Sequence, residues 1–199
     1  SPASSRDNWP EDTWNNVFDI SSDGSARVAF NIEMAVPENA DRPVDYLNFG
    51  ASQSNFEAFD LKTSEPLRIE TVKRDSLQTV FVRPSIELHR GDRYNYRLIF
   101  QEESLVKRAG NCSIFEWGWG HWPLKYVLKF LLPQKTVAYW ATSNLSYAGV
   151  ESGRPVLLFR DTTDWNTSMR VGGAYFYGEM SNIHLFHWKT RPDAEQDYL

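Results

Sequence analysis

Apolar and polar residues alternate with a period of two along most of this chain. That spacing sends successive side chains to opposite faces of a strand. Trp14, Asn16, Phe18 and Ile20 share one face. Ser22-Asp23-Gly24-Ser25 follows, and an Asp-Gly pair favours a hairpin because glycine accepts positive φ. Ala26, Val28, Phe30, Ile32 and Met34 then alternate with Arg27, Asn31 and Glu33 until Pro37. The two runs predict one hairpin with an apolar face and a mostly polar face.

The pattern recurs downstream. Phe56 to Leu61 and Leu67 to Val72, joined by Lys62-Thr63-Ser64-Glu65-Pro66, predict a second hairpin. Leu77 to Val82 is a β-branched and aromatic run. Tyr94, Tyr96, Leu98 and Phe100 alternate with polar neighbours after the His89-Arg90-Gly91-Asp92 turn. Leu124, Tyr126, Leu128, Phe130 and Leu132 do so before Pro133. Shorter candidates lie at 137–142, 156–160, 174–177 and 183–188, and no segment carries a helical stripe. About ten short strands separated by turn residues predict an all-β, antiparallel β-sandwich with negligible helix. The glycine-bearing stretch from Gln101 to Pro123 has weak strand signals. It reads as a long loop, or as a soft boundary between two packed sandwich-like halves of a single unit spanning 1–199. Segments 1–13 and 190–199 read as extended or flexible ends.

Composition narrows the function classes. Hydrophobic residues make up 41% and aromatic residues 15% of the 199 positions, which excludes a disordered tail. No apolar run approaches the roughly 18 residues of a membrane-spanning helix. A net charge of −5 argues against nucleic acid or an anionic membrane surface as partner. The single cysteine, Cys112, excludes an intrachain disulfide and a cysteine-based metal site. No Gly-x-Ser-x-Gly elbow and no phosphate-cradling glycine loop occurs, so no cofactor is implied.

The most unusual stretch is Phe115-Glu116-Trp117-Gly118-Trp119-Gly120-His121-Trp122-Pro123. As a loop, it would present Trp117, Trp119 and Trp122 as stacking faces for sugars, with Glu116 and His121 as polar contacts. The competing account has the same rings closing the end of the sandwich, with the glycines allowing close backbone approach. Glu33, Glu57, Glu70, Glu87 and Glu116 sit on or beside candidate strands, and a glycan-cleaving enzyme would need two such carboxylates facing each other. Asp161 and Asp164 lie in an oxygen-rich segment lacking the ordered spacing of a calcium loop. His184 and His187 are three apart, which on a strand sets them on opposite faces. Arg90-Gly91-Asp92 reads as turn chemistry ahead of a strand rather than as an adhesive tripeptide.

Asn144-Leu145-Ser146 and Asn166-Thr167-Ser168 fit the N-glycosylation pattern. With the β-rich, acidic composition and the absent start methionine, they point to an extracytoplasmic setting, either secreted or the ectodomain of a membrane-anchored protein. The leading functional expectation is a non-catalytic recognition or sensing domain for a protein or carbohydrate ligand. A carbohydrate-binding module using the tryptophan-rich stretch is the alternative. A glycan-active hydrolase or lyase comes third.

Overall fold

The computed structural model describes residues 12–36, 45–121, 124–164 and 166–178. Fourteen strands and no helix occur among them. They are β1 (Asp12–Ile20), β2 (Ala26–Ala35), β3 (Asp45–Gly50), β4 (Gln53–Asp60), β5 (Arg68–Arg74), β6 (Leu77–Arg83) and β7 (Arg93–Glu102). The second seven are β8 (Val106–Ala109), β9 (Cys112–His121), β10 (Leu124–Leu131), β11 (Thr136–Ala141), β12 (Leu145–Glu151), β13 (Arg154–Thr163) and β14 (Ser168–Tyr177). A seven-stranded sheet runs β12-β13-β10-β1-β2-β7-β4. A four-stranded sheet, β11-β14-β9-β8, and a three-stranded sheet, β3-β6-β5, form the opposing layer.

The period-two pattern builds the core. Trp14, Asn16, Phe18 and Ile20 of β1 are all buried, and each sits beside the buried set of β2 through pairs such as Trp14↔Ile32 and Phe18↔Val28. Tyr94, Tyr96, Leu98 and Phe100 continue that face on β7, and Leu124, Tyr126, Leu128 and Phe130 on β10. Aromatic rings lock the two layers together. Phe18 meets Trp117 at 5.0 Å between ring centroids, Phe100 meets Phe49 at 5.0 Å, and Phe115 stacks on Phe130 at 4.7 Å. Fully buried rings of this size dominate the apolar area removed from water.

Each half of the chain supplies part of both layers. Strands β1 and β2 meet β9 through Phe18–Trp117 and Phe30–Trp117, β2 and β7 meet β3 through Phe30–Phe49 and Phe100–Phe49, and β10 meets β9 through Phe130–Phe115. In the seven-stranded sheet the halves are stitched by β1 and β10, which run parallel from Asp12↔Leu124 to Asp19↔Leu131. In the other layer β3 and β9 do not pair, and no strand among the described residues lies between them.

Four local readings differ from the structure. The ladder is antiparallel except at β1–β10, because alternation fixes which face is buried but not which strand lies alongside. The expected hairpin between 56–61 and 67–72 is only one bridge, Phe59↔Pro66, and its strands belong to different sheets. Pro66 has no N–H to extend the ladder, so the chain crosses from one layer to the other there. The stretch from Gln101 to Pro123 is not a long loop, since the end of β7, then β8 and β9, occupy most of it. Strands β3 and β12 also had no strand assigned from sequence. The candidate strand at 183–188 and the terminal segments fall outside the described residues, except for Asp12 and Thr13, which begin β1.

Candidate functional site

Strand β9 carries the tryptophan-rich stretch as regular sheet. Phe115, Trp117 and Trp119 point inward, and Ile114, Glu116, Gly118 and Gly120 point outward, as period-two geometry requires. Trp117 is 7% exposed and lies between Phe18 and Phe100. Trp119 is half-buried, edge-on to Trp14 at 5.1 Å and to Phe49 at 5.7 Å. Glu116 is exposed on the outer face, away from the rings it was expected to accompany. His121 ends β9, but its side chain and all of Trp122 lie outside the described residues. The stretch is therefore a core strand whose last inward ring, Trp119, reaches the surface.

That ring opens onto a cleft of about 440 Å³. One wall is Tyr46 to Gly50 of β3, the other is Trp117 to Gly120 of β9, and Asp12, Trp14 and Gln53 complete the lining. The volume lies within the range of ligand pockets, and a lining that combines aromatic rings, here Trp14, Tyr46, Phe49, Trp117 and Trp119, with a few polar groups is their usual chemistry. Three lining residues hold buried polar atoms without a partner: Trp14 Nε1, Trp117 Nε1 and Gln53 Oε1. Gln53 Nε2, by contrast, donates to Ser52 Oγ at 3.2 Å and to Glu102. Asp12 is buried and accepts the Ala35 N–H at 3.0 Å. The β3 wall was missed from sequence; its only signal is the inward pair Leu47 and Phe49 in a six-residue strand.

A second cleft of about 330 Å³ lies over β1, β10 and β13, lined by residues that include Thr13, Lys125, Tyr126, Arg160 and Asp161. Among the described residues each cleft is lined by one carboxylate, Asp12 in the first and Asp161 in the second. The other carboxylates singled out from sequence are dispersed. Glu33 pairs with Arg93, and Glu70 with Arg83 at 2.8 Å and Arg68 at 2.9 Å; Glu57 and Glu87 are exposed. Among the described residues no group of three His, Cys, Asp or Glu side chains is placed to hold a metal ion.

The remaining sequence candidates resolve into local structure. Asp164 Oδ1 accepts the N–H groups of Asn166 and Thr167 and the Thr167 hydroxyl, bonds that hold its carboxyl below the usual range. Asp92 Oδ2 accepts the His89 N–H at 2.7 Å, and Gly91 has φ 81°, so the Arg-Gly-Asp tripeptide is a turn docked on Val36. Cys112 Sγ lies 3.2 Å from the Tyr139 hydroxyl, and this contact raises the tyrosine pKa. The two sequons differ. Asn144 Nδ2 donates to Tyr126 Oη at 2.9 Å and to Arg170 O at 3.1 Å, whereas Asn166 sits exposed in the Asp164 turn.

A strongly perturbed carboxylate lies elsewhere. Asp60 accepts the Tyr94 hydroxyl at 2.7 Å, the Ser85 hydroxyl at 3.1 Å and the N–H groups of Lys62 and Thr63. The Tyr94 bond leads these in pulling its pKa down to about 2. Burial is the main cause raising the Tyr94 pKa. Every Asp60 partner is part of its own turn or of β7 and its approach, so the group braces the crossing after β4.

No family model and no curated protein matches this sequence. Solved structures match its fold. A point mutant of the M1 zinc metallopeptidase from Deinococcus radiodurans, bound to a tripeptide substrate, superposes with a TM-score of 0.53 at 12% identity, over 82% of this chain and 41% of that one. The same enzyme without the mutation gives 0.51 at 13% identity, over 85% and 42%. The chain thus spans less than half the length of those enzymes. At such identity the likeness extends to fold alone: this is a β-sandwich domain whose fold resembles part of that M1 zinc metallopeptidase.

Proposed function

We propose that this chain is a non-catalytic recognition domain of a larger, secreted or membrane-anchored protein, and that it takes its ligand in the β3–β9 cleft. The observation that carries this reading is the cleft itself: about 440 Å³, walled by two strands, with Trp119 half-exposed within it. Hydrolase or lyase chemistry is less well supported, because the described residues give each cleft one carboxylate where that chemistry uses two. The carbohydrate reading keeps the exposed Tyr46 and the half-buried Trp119 as its rings, and Trp14 and Phe49 already pack against Trp119. The exposed sequon at Asn166 supports the extracytoplasmic setting.

The test is a fluorescence and thermal-shift screen of capped peptides and of oligosaccharides against the chain and Trp119→Ala. Hits that bind the unaltered chain and lose at least tenfold affinity in the variant support the cleft. Hits indifferent to Trp119→Ala would move the site elsewhere. A parent reading frame without a signal sequence or membrane segment would overturn the location.

A further inference from the structure

We propose that the ligand of the β3–β9 cleft is an extended peptide segment, bound as an added strand along the unpaired stretch of β9. This deepens the preceding reading and rests on it. Strand β8 covers β9 only from Cys112 to Phe115. From Glu116 to Gly120, no strand among the described residues lies on that side. Strand β3 is likewise the edge of its sheet, and both edges border the same cleft.

The backbone groups that face the opening follow from the turns. Gly110, with φ 63°, and Asn111 form a two-residue link, so Ala109 and Cys112 make the first hydrogen-bonded pair. Cys112 and Ile114 therefore address β8. By alternation, the N–H and C=O of Glu116 and Gly118 address the side on which no described strand lies. The opposite set is fixed independently. Gly172 O accepts the Thr142 N–H on the β11 side, which leaves Val171 and Gly173 to bond Trp117 and Phe115. On β3 the same logic starts at the Asp75-Ser76 turn. Leu77 and Thr79 address β5, Gln78 and Val80 address Phe49 and Leu47, and Asn48 is left facing outward.

Edge strands without partners are normally blunted by proline, lysine or short length. The open stretch of β9 has Glu116 as its one charge and two glycines. A Cβ on Gly120 would meet nothing within 4 Å, and Gly120 lies in the irregularity between Trp119 and His121, so packing does not demand glycine there. An absent side chain at an edge leaves the backbone open to close approach by another chain. Three residues of the cleft lining also carry a buried polar atom without a partner: Trp14 Nε1, Trp117 Nε1 and Gln53 Oε1. Leaving such groups unpaired is unfavourable, and a peptide whose binding gave them partners would recover that loss. Five open residues at about 3.3 Å each span roughly 16 Å, so a segment of about five to seven residues fits. Its inward side chains would meet Trp14 and Trp119, favouring small apolar residues at alternate positions.

The test is selection of capped, random heptapeptides displayed on phage against the full chain, followed by synthesis of the winners. Strand addition predicts apolar residues at every second position. It also predicts at least tenfold weaker binding when alternate backbone amides are N-methylated, with the intervening amides tolerant. Gly120→Pro, which removes an N–H and fills the edge, should weaken the same peptides at least tenfold while moving Tm by only a few degrees. Winners insensitive to N-methylation at every position would overturn strand addition even if Gly120→Pro proved unstable. If no peptide binds but an oligosaccharide does so in a Trp119-dependent way, the cleft stands as the site and the peptide inference falls. If neither class binds there, both fall.

Discussion

Asn16 offers a direct measure of how this core is balanced. It is 1% exposed on the inner face of the central strand, between Trp14 and Phe18 along the chain and beside Phe30 and Leu128 across it. Both of its side-chain polar atoms lack a hydrogen-bond partner. Each such group costs about 1–3 kcal/mol when left unpaired in the interior. Asn16→Leu keeps the branching and replaces both polar atoms with methyl groups. Relief of two unpaired groups, less about 1–3 kcal/mol of crowding for the added bulk, leaves a gain of about 2 kcal/mol. For a chain of this length that raises Tm by roughly 4–8 °C. Urea unfolding followed by tryptophan fluorescence, with calorimetry beside it, reads the change at constant m-value. Asn16→Ala serves as the control: it removes the polar groups but leaves a void, so it should be less stable than the leucine variant. A leucine variant less stable than the parent by about 1 kcal/mol or more, at unchanged m, would mean that the asparagine is satisfied and that the reasoning fails.

Three further outcomes are expected. Asp60 is held at about pKa 2, below its unfolded value of 3.8, so its contribution is present above about pH 4 and lost as pH falls towards 2. A shift of that size amounts to about 2 kcal/mol unscreened and about 1 kcal/mol beside solvent; urea unfolding at pH 6 and pH 3 should show a smaller acid loss in Asp60→Asn than in the parent. Trp117→Ala should cost about 3–5 kcal/mol and half-buried Trp119→Ala roughly half as much, and equal costs by denaturant titration would contradict the burial difference. Expressed in a glycosylating secretory host, the chain should carry a glycan at Asn166 and little at Asn144, whose amide nitrogen is engaged in two hydrogen bonds; a mass shift lost in Asn144→Gln and retained in Asn166→Gln would reverse that assignment.

Legibility from sequence followed burial. Wherever one face of a strand is buried and the other wet, as in β1, β2, β7 and β10, alternation located the strand and its inward residues. Strand β12 is largely exposed on both faces, so no alternation marks it. Strand β9 does alternate, Phe115-Trp117-Trp119 against Ile114-Glu116-Gly118, but its glycines read as turn signals and hid a core strand. Consequently half of the candidate cleft was visible as an unusual composition and given the wrong backbone. The other half, on β3, was invisible. Which edges meet across a cleft depends on sheet order, and period-two patterning carries no information about that.

The parallel seam between β1 and β10 also governs the order in which the sheet can be made. During synthesis β1 and β2 emerge early and can close their hairpin at once, and β7 can dock on β2 soon after. The other edge of β1 must wait until Leu124 to Leu131 has been produced, because Asp12 pairs with Leu124. Pairings so distant in sequence pay loop-closure entropy before any contact rewards it. In that interval a nascent chain exposes Trp14, Phe18 and one whole strand edge, the kind of surface that recruits chaperones or neighbouring chains.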